Sequence, residues 1–198
     1  FQQLSDTLIT ITPTFTQIAI LMTKRVRARI SKNVAAKMGV LGQNAMNRKK
    51  DQDLIAIGQA ATTDLGTAGS PMTFSQVGAA AARIQGNATE PAVSRISTVL
   101  HRFHIKDIQD EIEAGVGTYA VPNGLSEEVF RRGFQGSVSG SEVFHDGNIA
   151  VDSSTDAEGF TFAKEALIHV DGLGPTTDEE YFPRKGAGAH VVTLTDEY

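Results

Sequence analysis

Apolar and polar side chains alternate with a period close to two near the start of the chain. Leu8, Thr10 and Thr12, then residues 15–20, carry this pattern between positions 6 and 21, which predicts an extended strand. Pro13 interrupts it, and because proline has no N–H for a sheet the strand is expected at an edge or with a bend. The period then lengthens. From Thr23 to about Ala60, Val26, Ile30, Val34, Met38, Leu41, Ala45, Met46, Leu54, Ile55 and Ile57 recur every three or four residues, as one apolar stripe of a helix would. A single helix over this stretch would be about 55 Å long, with Gly39 and Gly42 as places to bend.

Residues 62–71, rich in Thr, Gly, Ala and Ser, form a flexible connection and the best subdomain boundary. Thr73 is placed to cap a helix over residues 74–84 that Gly86 and Asn87 stop. Residues 95–100 read as a short buried strand. Residues 105–113 read as a helix ending at Gly115, with Ile105, Ile108 and Ile112 on one face and Asp107, Asp110, Glu111 and Glu113 largely on others. A turn is expected around Pro122, Asn123 and Gly124. Two strands follow, over 137–144 and 148–151, joined at Asp146-Gly147. A further strand is expected over 160–170 and a last one over 189–194, with the acidic stretch 171–185 between them. No internal repeat is evident. The order of elements predicts an α+β chain with a long helix outside a mixed globular part.

Composition adds limits. With 40% apolar and 21% charged residues among 198, the chain is an ordinary folded protein. It has no run of about 18 apolar residues, so no helical span and no membrane partner are expected. The absence of cysteine excludes disulfides, thiolate metal sites and cysteine nucleophiles. Phe1 in place of Met implies processing or an upstream segment. Charge is strongly polarised: residues 1–106 hold thirteen Lys/Arg against five Asp/Glu, and residues 107–198 hold five against eighteen. Lys24, Arg25, Arg27, Arg29, Lys32, Lys37, Arg48, Lys49 and Lys50 lie in a stretch with no acidic residue. Such asymmetry favours self-association or a polyanionic neighbour.

Candidate chemistry is sparse. His101 and His104, three apart and near Asp107, could present two imidazoles and a carboxylate to a metal, but spacing fixes no further ligand. His145-Asp146 and the pair His169 and Asp171 could act as base and orienting acid, yet no nucleophile is identifiable. The run from Gly136 to Gly140 has Val138 where a nucleophile elbow needs a hydroxyl. Gly115-Val116-Gly117 and Gly186-Ala187-Gly188 lack the third glycine of a phosphate cradle and read as turns. The run Asp178-Glu179-Glu180 reads as a solvated loop, with pairing to a basic neighbour second. No catalytic, cofactor or metal residue is assigned. A small metal-dependent hydrolase built on His101 and His104 stands as a rival reading. A nucleic-acid-binding module on the basic helix is disfavoured by the acidic net charge and by the lack of interleaved aromatics.

Four blocks, in order, resemble the major capsid proteins of tailed phages, whose shared architecture is the Hong Kong 97-type fold. Asp51-Gln52-Asp53-Leu54-Ile55 is similar to the end of that family's spine helix, and Met72-Thr73-Phe74-Ser75-Gln76-Val77 to the start of the first helix of its axial domain. Residues 95–112 are similar to its strand-then-helix block, with Arg102 where a proline is usual. Gly133, Gly136, Gly140, Val143 and Ile149, followed by residues 160–167, resemble its closing pattern. The family normally carries an arm and an extended loop before the spine helix, where only about 22 residues stand here, so a truncated or processed start is expected.

The resemblance implies a peripheral domain from an extended strand (1–22), a spine helix with linker (23–70) and a returning strand (171–198), around an axial domain (71–170). It implies a non-enzymatic shell protein without cofactors, assembled in the host cytoplasm into hexamers and pentamers that enclose double-stranded DNA in a virion. Portal, scaffolding or decoration proteins are its expected partners. Glycine turns around Gly133, Gly136 and Gly140 would let the axial domain adjust between pentameric and hexameric positions. A bacterial nanocompartment shell of the same fold is the alternative. Lys24, Arg25, Arg27, Arg29, Lys32 and Lys37 are then expected to face packaged DNA or to pair with the acidic half of a neighbouring subunit.

Overall fold

The computed structural model describes residues 10–30, 32–89, 91–114, 136–184 and 188–198. The expected turn around Pro122 and the pairs at Gly115 and Gly186 fall wholly or partly outside these residues, as does Gly133. The described chain is α+β, in two compact units. One comprises Phe1–Lys50 and His169–Tyr198, and the other Asp51–Ile168.

The first unit is built on a three-stranded antiparallel sheet. Strand β1 (Phe15–Thr23) pairs with the last strand, β7 (Ala189–Glu197), and β7 pairs on its other side with β6 (Thr176–Phe182). β1 is therefore an edge strand, in keeping with Pro13 just before it. The β1–β7 register sets Ile18 opposite Leu194, Ile20 opposite Val192 and Thr16 opposite Asp196. Alternation puts all six on one face.

The expected single helix after β1 is instead two. Helix α1 (Lys24–Arg29) ends at Ile30, whose backbone is extended (φ −86°, ψ 129°), and α2 runs over Lys32–Gln59. The break falls at Ile30, a β-branched residue that takes the extended backbone its side chain favours while its N–H closes α1 on the Val26 carbonyl at 2.9 Å. α2, with 28 residues, is about 42 Å long and continues through both Gly39 and Gly42. Gly42 comes close to the sheet, since a Cβ there would lie 3.5 Å from the Leu194 methyl groups and 3.8 Å from Ile20. Met46 and Lys50, one and two turns on, share that face.

The second unit holds a four-stranded sheet in the order β3 (Ser137–Val138), β4 (Ser141–His145), β2 (Ile96–Leu100), β5 (Phe160–Ala163). β2 runs parallel to β4 and antiparallel to β5. Helices α3 (Phe74–Gln85) and α4 (Arg102–Ala114) and the end of α2 from Asp51 onward also belong to it. Val77, Leu100, Ile105, Ile108, Val138 and Val143 form its buried core, with Met72 and Phe74 packed against them. The Thr73 cap is a full capping box: Thr73 Oγ1 accepts the Gln76 N–H at 3.3 Å and Gln76 Oε1 accepts the Thr73 N–H at 2.9 Å.

Three further expectations are corrected. The strand over 137–144 is a hairpin folded at Ser139-Gly140, both residues having positive φ (48° and 84°), as a two-residue turn of the type matched to strand twist requires. Residues 148–151 contribute only one bridge, between Val151 and Ala157. The strand expected over 160–170 stops at Ala163, where a 3-10 turn, Lys164–Ala166, follows.

Across the second sheet runs a line of hydroxyls. Thr98 Oγ1 on β2 lies 2.7 Å from Ser141 Oγ on β4 and 2.9 Å from Thr161 Oγ1 on β5, and both Thr98 and Ser141 are buried. Thr98→Val keeps the shape and strands two buried or half-buried hydroxyls, so the unit is expected to lose about 1–3 kcal/mol in urea unfolding. A loss below a few tenths would show that the line is energetically idle.

Candidate functional site

Helix α1 gathers four cations in two turns. Thr23 Oγ1 caps it by accepting the Val26 N–H at 3.4 Å. Lys24, Arg25 and Arg29 are exposed and, among the described residues, have no ion-pair partner. Arg27 Nη1 donates to Glu179 Oε1 at 3.2 Å, both side chains about half exposed, a pair worth only about 0–1 kcal/mol. His190 Nδ1 comes within 2.5 Å of the same carboxylate oxygen without the alignment of a hydrogen bond. Lys37 stands apart, exposed on α2, and Lys32 lies in the first turn of α2.

The run Asp178-Glu179-Glu180 is not a loop. It forms the middle of β6, an edge strand, with Glu179 opposite Val192 and therefore on the helix-covered face. Asp178 and Glu180 lie on the open face in water, Glu179 is half exposed and paired with Arg27, and such charges on an edge strand discourage further strand addition.

One buried ion pair was not anticipated. Asp196 is 2% exposed, and its Oδ2 lies 2.7 Å from Lys50 Nζ on α2. Lys50 also lies 4.9 Å from the Tyr198 ring centre, over its face. Asp196 Oδ1 has no hydrogen-bond partner among the described residues. The signal was present in the strand period, since Asp196 falls in phase with Val192 and Leu194 on the inward face.

Two surfaces of the first unit combine exposed apolar area with charge of one sign. On α2, the side opposite Gly42, Met46 and Lys50 carries Lys37, Val40, Leu41, Asn44 and Arg48, with Val40 59% and Leu41 66% exposed. The first carboxylate on that side is Asp51, at its far end. On the sheet, the face turned away from α2 carries Phe15, Ala19 and Leu21 of β1, Val191 and Thr193 of β7, and Asp178 and Glu180 of β6. Phe15 is 59% and Leu21 53% exposed.

The histidine chemistry is largely occupied by structure. His101 precedes α4, and its Nδ1 accepts the Phe103 N–H at 3.3 Å. Asp107 Oδ2 accepts the Met72 N–H at 3.1 Å, and Glu111 Oε2 accepts that of Phe74 at 2.6 Å, so both carboxylates hold the start of α3. Asp146 closes its own turn by accepting the Asn148 N–H at 2.7 Å. His169 Nε2 lies 3.6 Å from Asp171 Oδ1 at the surface. Among the described residues no three His, Asp or Glu side chains converge as a metal site would need.

His104 is shifted down from the ordinary histidine range, chiefly because burial disfavours its charged form. A hydrogen bond to the Ala157 backbone and the charge of Asp107 oppose that shift, and His101 adds to it. The unfolded chain therefore takes up this proton more readily than the folded one. Stability from this group is fully present above about pH 6.5 and falls as pH drops toward the lowered folded value. His104→Gln is expected to flatten the dependence of melting temperature on pH in that window; an unchanged slope would assign it to another group.

No protein-family model and no curated protein matches the sequence. Solved structures do. A chain of Mycobacterium phage Che8 aligns with 98% of this chain and 72% of its own length, with a TM-score of 0.63 at 15% identity. The holo-SrpI encapsulin complex from Synechococcus elongatus PCC 7942 aligns with 94% and 69%, with a TM-score of 0.59 at 13% identity. The mature capsid of bacteriophage PhiM1 aligns with 100% and 72%, with a TM-score of 0.52 at 14% identity. What the chain shares with them is the fold, an α+β arrangement of Hong Kong 97 type.

Proposed function

We propose that this chain, which has a capsid-type fold of the Hong Kong 97 kind, is the major capsid protein of a tailed phage, self-assembling into an icosahedral shell around double-stranded DNA. The observation that carries this reading is the extent of the likeness: structures from two phages cover 98% and 100% of the chain. Its surfaces agree with the reading, because exposed Val40, Leu41, Phe15 and Leu21 suit a protein that buries more area in assembly than it does alone.

In this assignment the unit of β1, β6, β7 and the first part of α2 serves as the peripheral domain, and the unit Asp51–Ile168 as the axial one. Mechanism is then mechanical. Many weak charge contacts and shared apolar area, repeated around closed rings, supply strength that no single pair has. Hexamers and pentamers are the rings expected, with portal, scaffolding or decoration proteins as further partners in host cytoplasm and virion. The chain carries out no chemistry in this role.

Lys24, Arg25 and Arg29 on α1 are the residues we assign to packaged DNA, neutralising phosphates without reading bases. Reversing all three to Glu separates the roles. Shells that form normally but hold DNA less well at rising salt support the DNA assignment; shells that fail to form would give these cations to subunit pairing.

A nanocompartment shell is the second reading, favoured by the encapsulin, whose structure covers 94% of the chain. Particles from the natural source, treated with nuclease and then opened, decide between the two. Protected double-stranded DNA supports the phage capsid; protein cargo without DNA supports the nanocompartment.

A further inference from the structure

We propose that the outer side of α2 of one subunit docks on the open face of the three-stranded sheet of a second copy. This inference rests on the shell reading above and names the surfaces that would hold two peripheral units together. Complementarity carries it. The helix side offers Val40 and Leu41 flanked by Lys37 and Arg48, while the sheet face offers Leu21 and Val191 beside Asp178 and Glu180. None of these four charged side chains has a partner among the described residues. Each surface is thus apolar at its centre, and their charges are opposite.

The dimensions allow the match. Lys37 and Arg48 are about 16 Å apart along a helix, and Asp178 and Glu180 about 7 Å apart along a strand. Two long basic side chains reaching inward from either end span the difference. Register on the sheet then settles what lies under the helix. Glu180 is opposite Val191, which is opposite Leu21, so a helix lying along the acidic edge sets Val40 and Leu41 toward that row. Within the chain the same chemistry already operates once, since Arg27 of α1 holds Glu179 on the other face of β6.

The test is reciprocal charge reversal, read by sedimentation of the purified full-length chain. Lys37→Glu with Arg48→Glu is expected to shift the protein from large assemblies to small oligomers or monomers, and Asp178→Lys with Glu180→Lys to do the same. Combining all four is expected to restore the wild-type profile. Far-UV circular dichroism and the melting temperature report whether each variant folds. A second route avoids charge: the chain has no cysteine, so a short bismaleimide joins Leu41→Cys to Val191→Cys proteins in a mixture only if these surfaces meet. Reversed variants that sediment as wild type, a quadruple variant that stays dispersed, or no crosslink enriched over either cysteine variant alone would each overturn the docking proposal while leaving the shell reading in place. A wild-type chain that remains a monomer would overturn both.

Discussion

Lys50→Met is expected to destabilise the unit containing the three-stranded sheet by about 3 kcal/mol or more, measured as the shift in urea unfolding at neutral pH. The reason is the partner left behind. Asp196 is buried, and Lys50 at 2.7 Å supplies its ion pair. Removing one member of a buried pair costs about 3–5 kcal/mol because the survivor keeps its charge without compensation or must take up a proton. The fifth of the Lys50 side chain that remains exposed puts the expected cost near the lower end. Replacing both partners, as Lys50→Met with Asp196→Leu, is expected to recover most of the loss, since two apolar groups of similar size need no counter-charge. A double variant no better than Lys50→Met would show that packing around Asp196 is what failed.

Ile108→Ala is expected to cost the second unit about 2–5 kcal/mol, the range for removing a fully buried branched side chain. Ile108 lies on α4 in the core formed with Leu100 of β2, Val77 of α3 and Val143 of β4. Its loss therefore opens a void among several elements, which cannot all close on it together. The control is Lys106→Ala on the same helix, an exposed residue, expected to change stability by less than about 0.5 kcal/mol. Equal effects would mean that helix formation, and not core packing, limits this unit.

Much of the fold was legible because the local signals agreed with the tertiary result. The Thr73 cap, the β2 strand and the final strand were found where period and capping chemistry placed them. The misses have physical causes. The long stripe after β1 read as one helix because an apolar period does not register a single residue, Ile30, turning extended, and it counted Leu41 and Ile57 with the buried stripe although both are exposed. Ser137 to Phe144 read as one strand because Val138, Val143 and Phe144 mark extended chain on both sides of Ser139-Gly140; that dipeptide needed more weight as a turn. Asp178 to Glu180 read as a loop because charge outweighed the strand-forming Thr176 and Thr177 before them.

The surfaces were less legible than the fold. Charge asymmetry pointed to a basic and an acidic partner surface, but sequence could not distribute the cations among roles. Geometry separates them: Arg27 turns to Glu179, Lys50 turns inward to Asp196, and Lys37 and Arg48 remain on the outer side of α2. The carboxylates of Asp107 and Glu111, read beforehand as off the apolar face, hold the start of α3. That role depends on a segment more than thirty residues away, which no local pattern reveals.

Electron microscopy of the purified full-length protein decides whether this chain builds shells. Closed icosahedral particles or capsomer-sized rings are expected. A monodisperse monomer at high concentration, carrying its natural amino terminus, would contradict the shell reading.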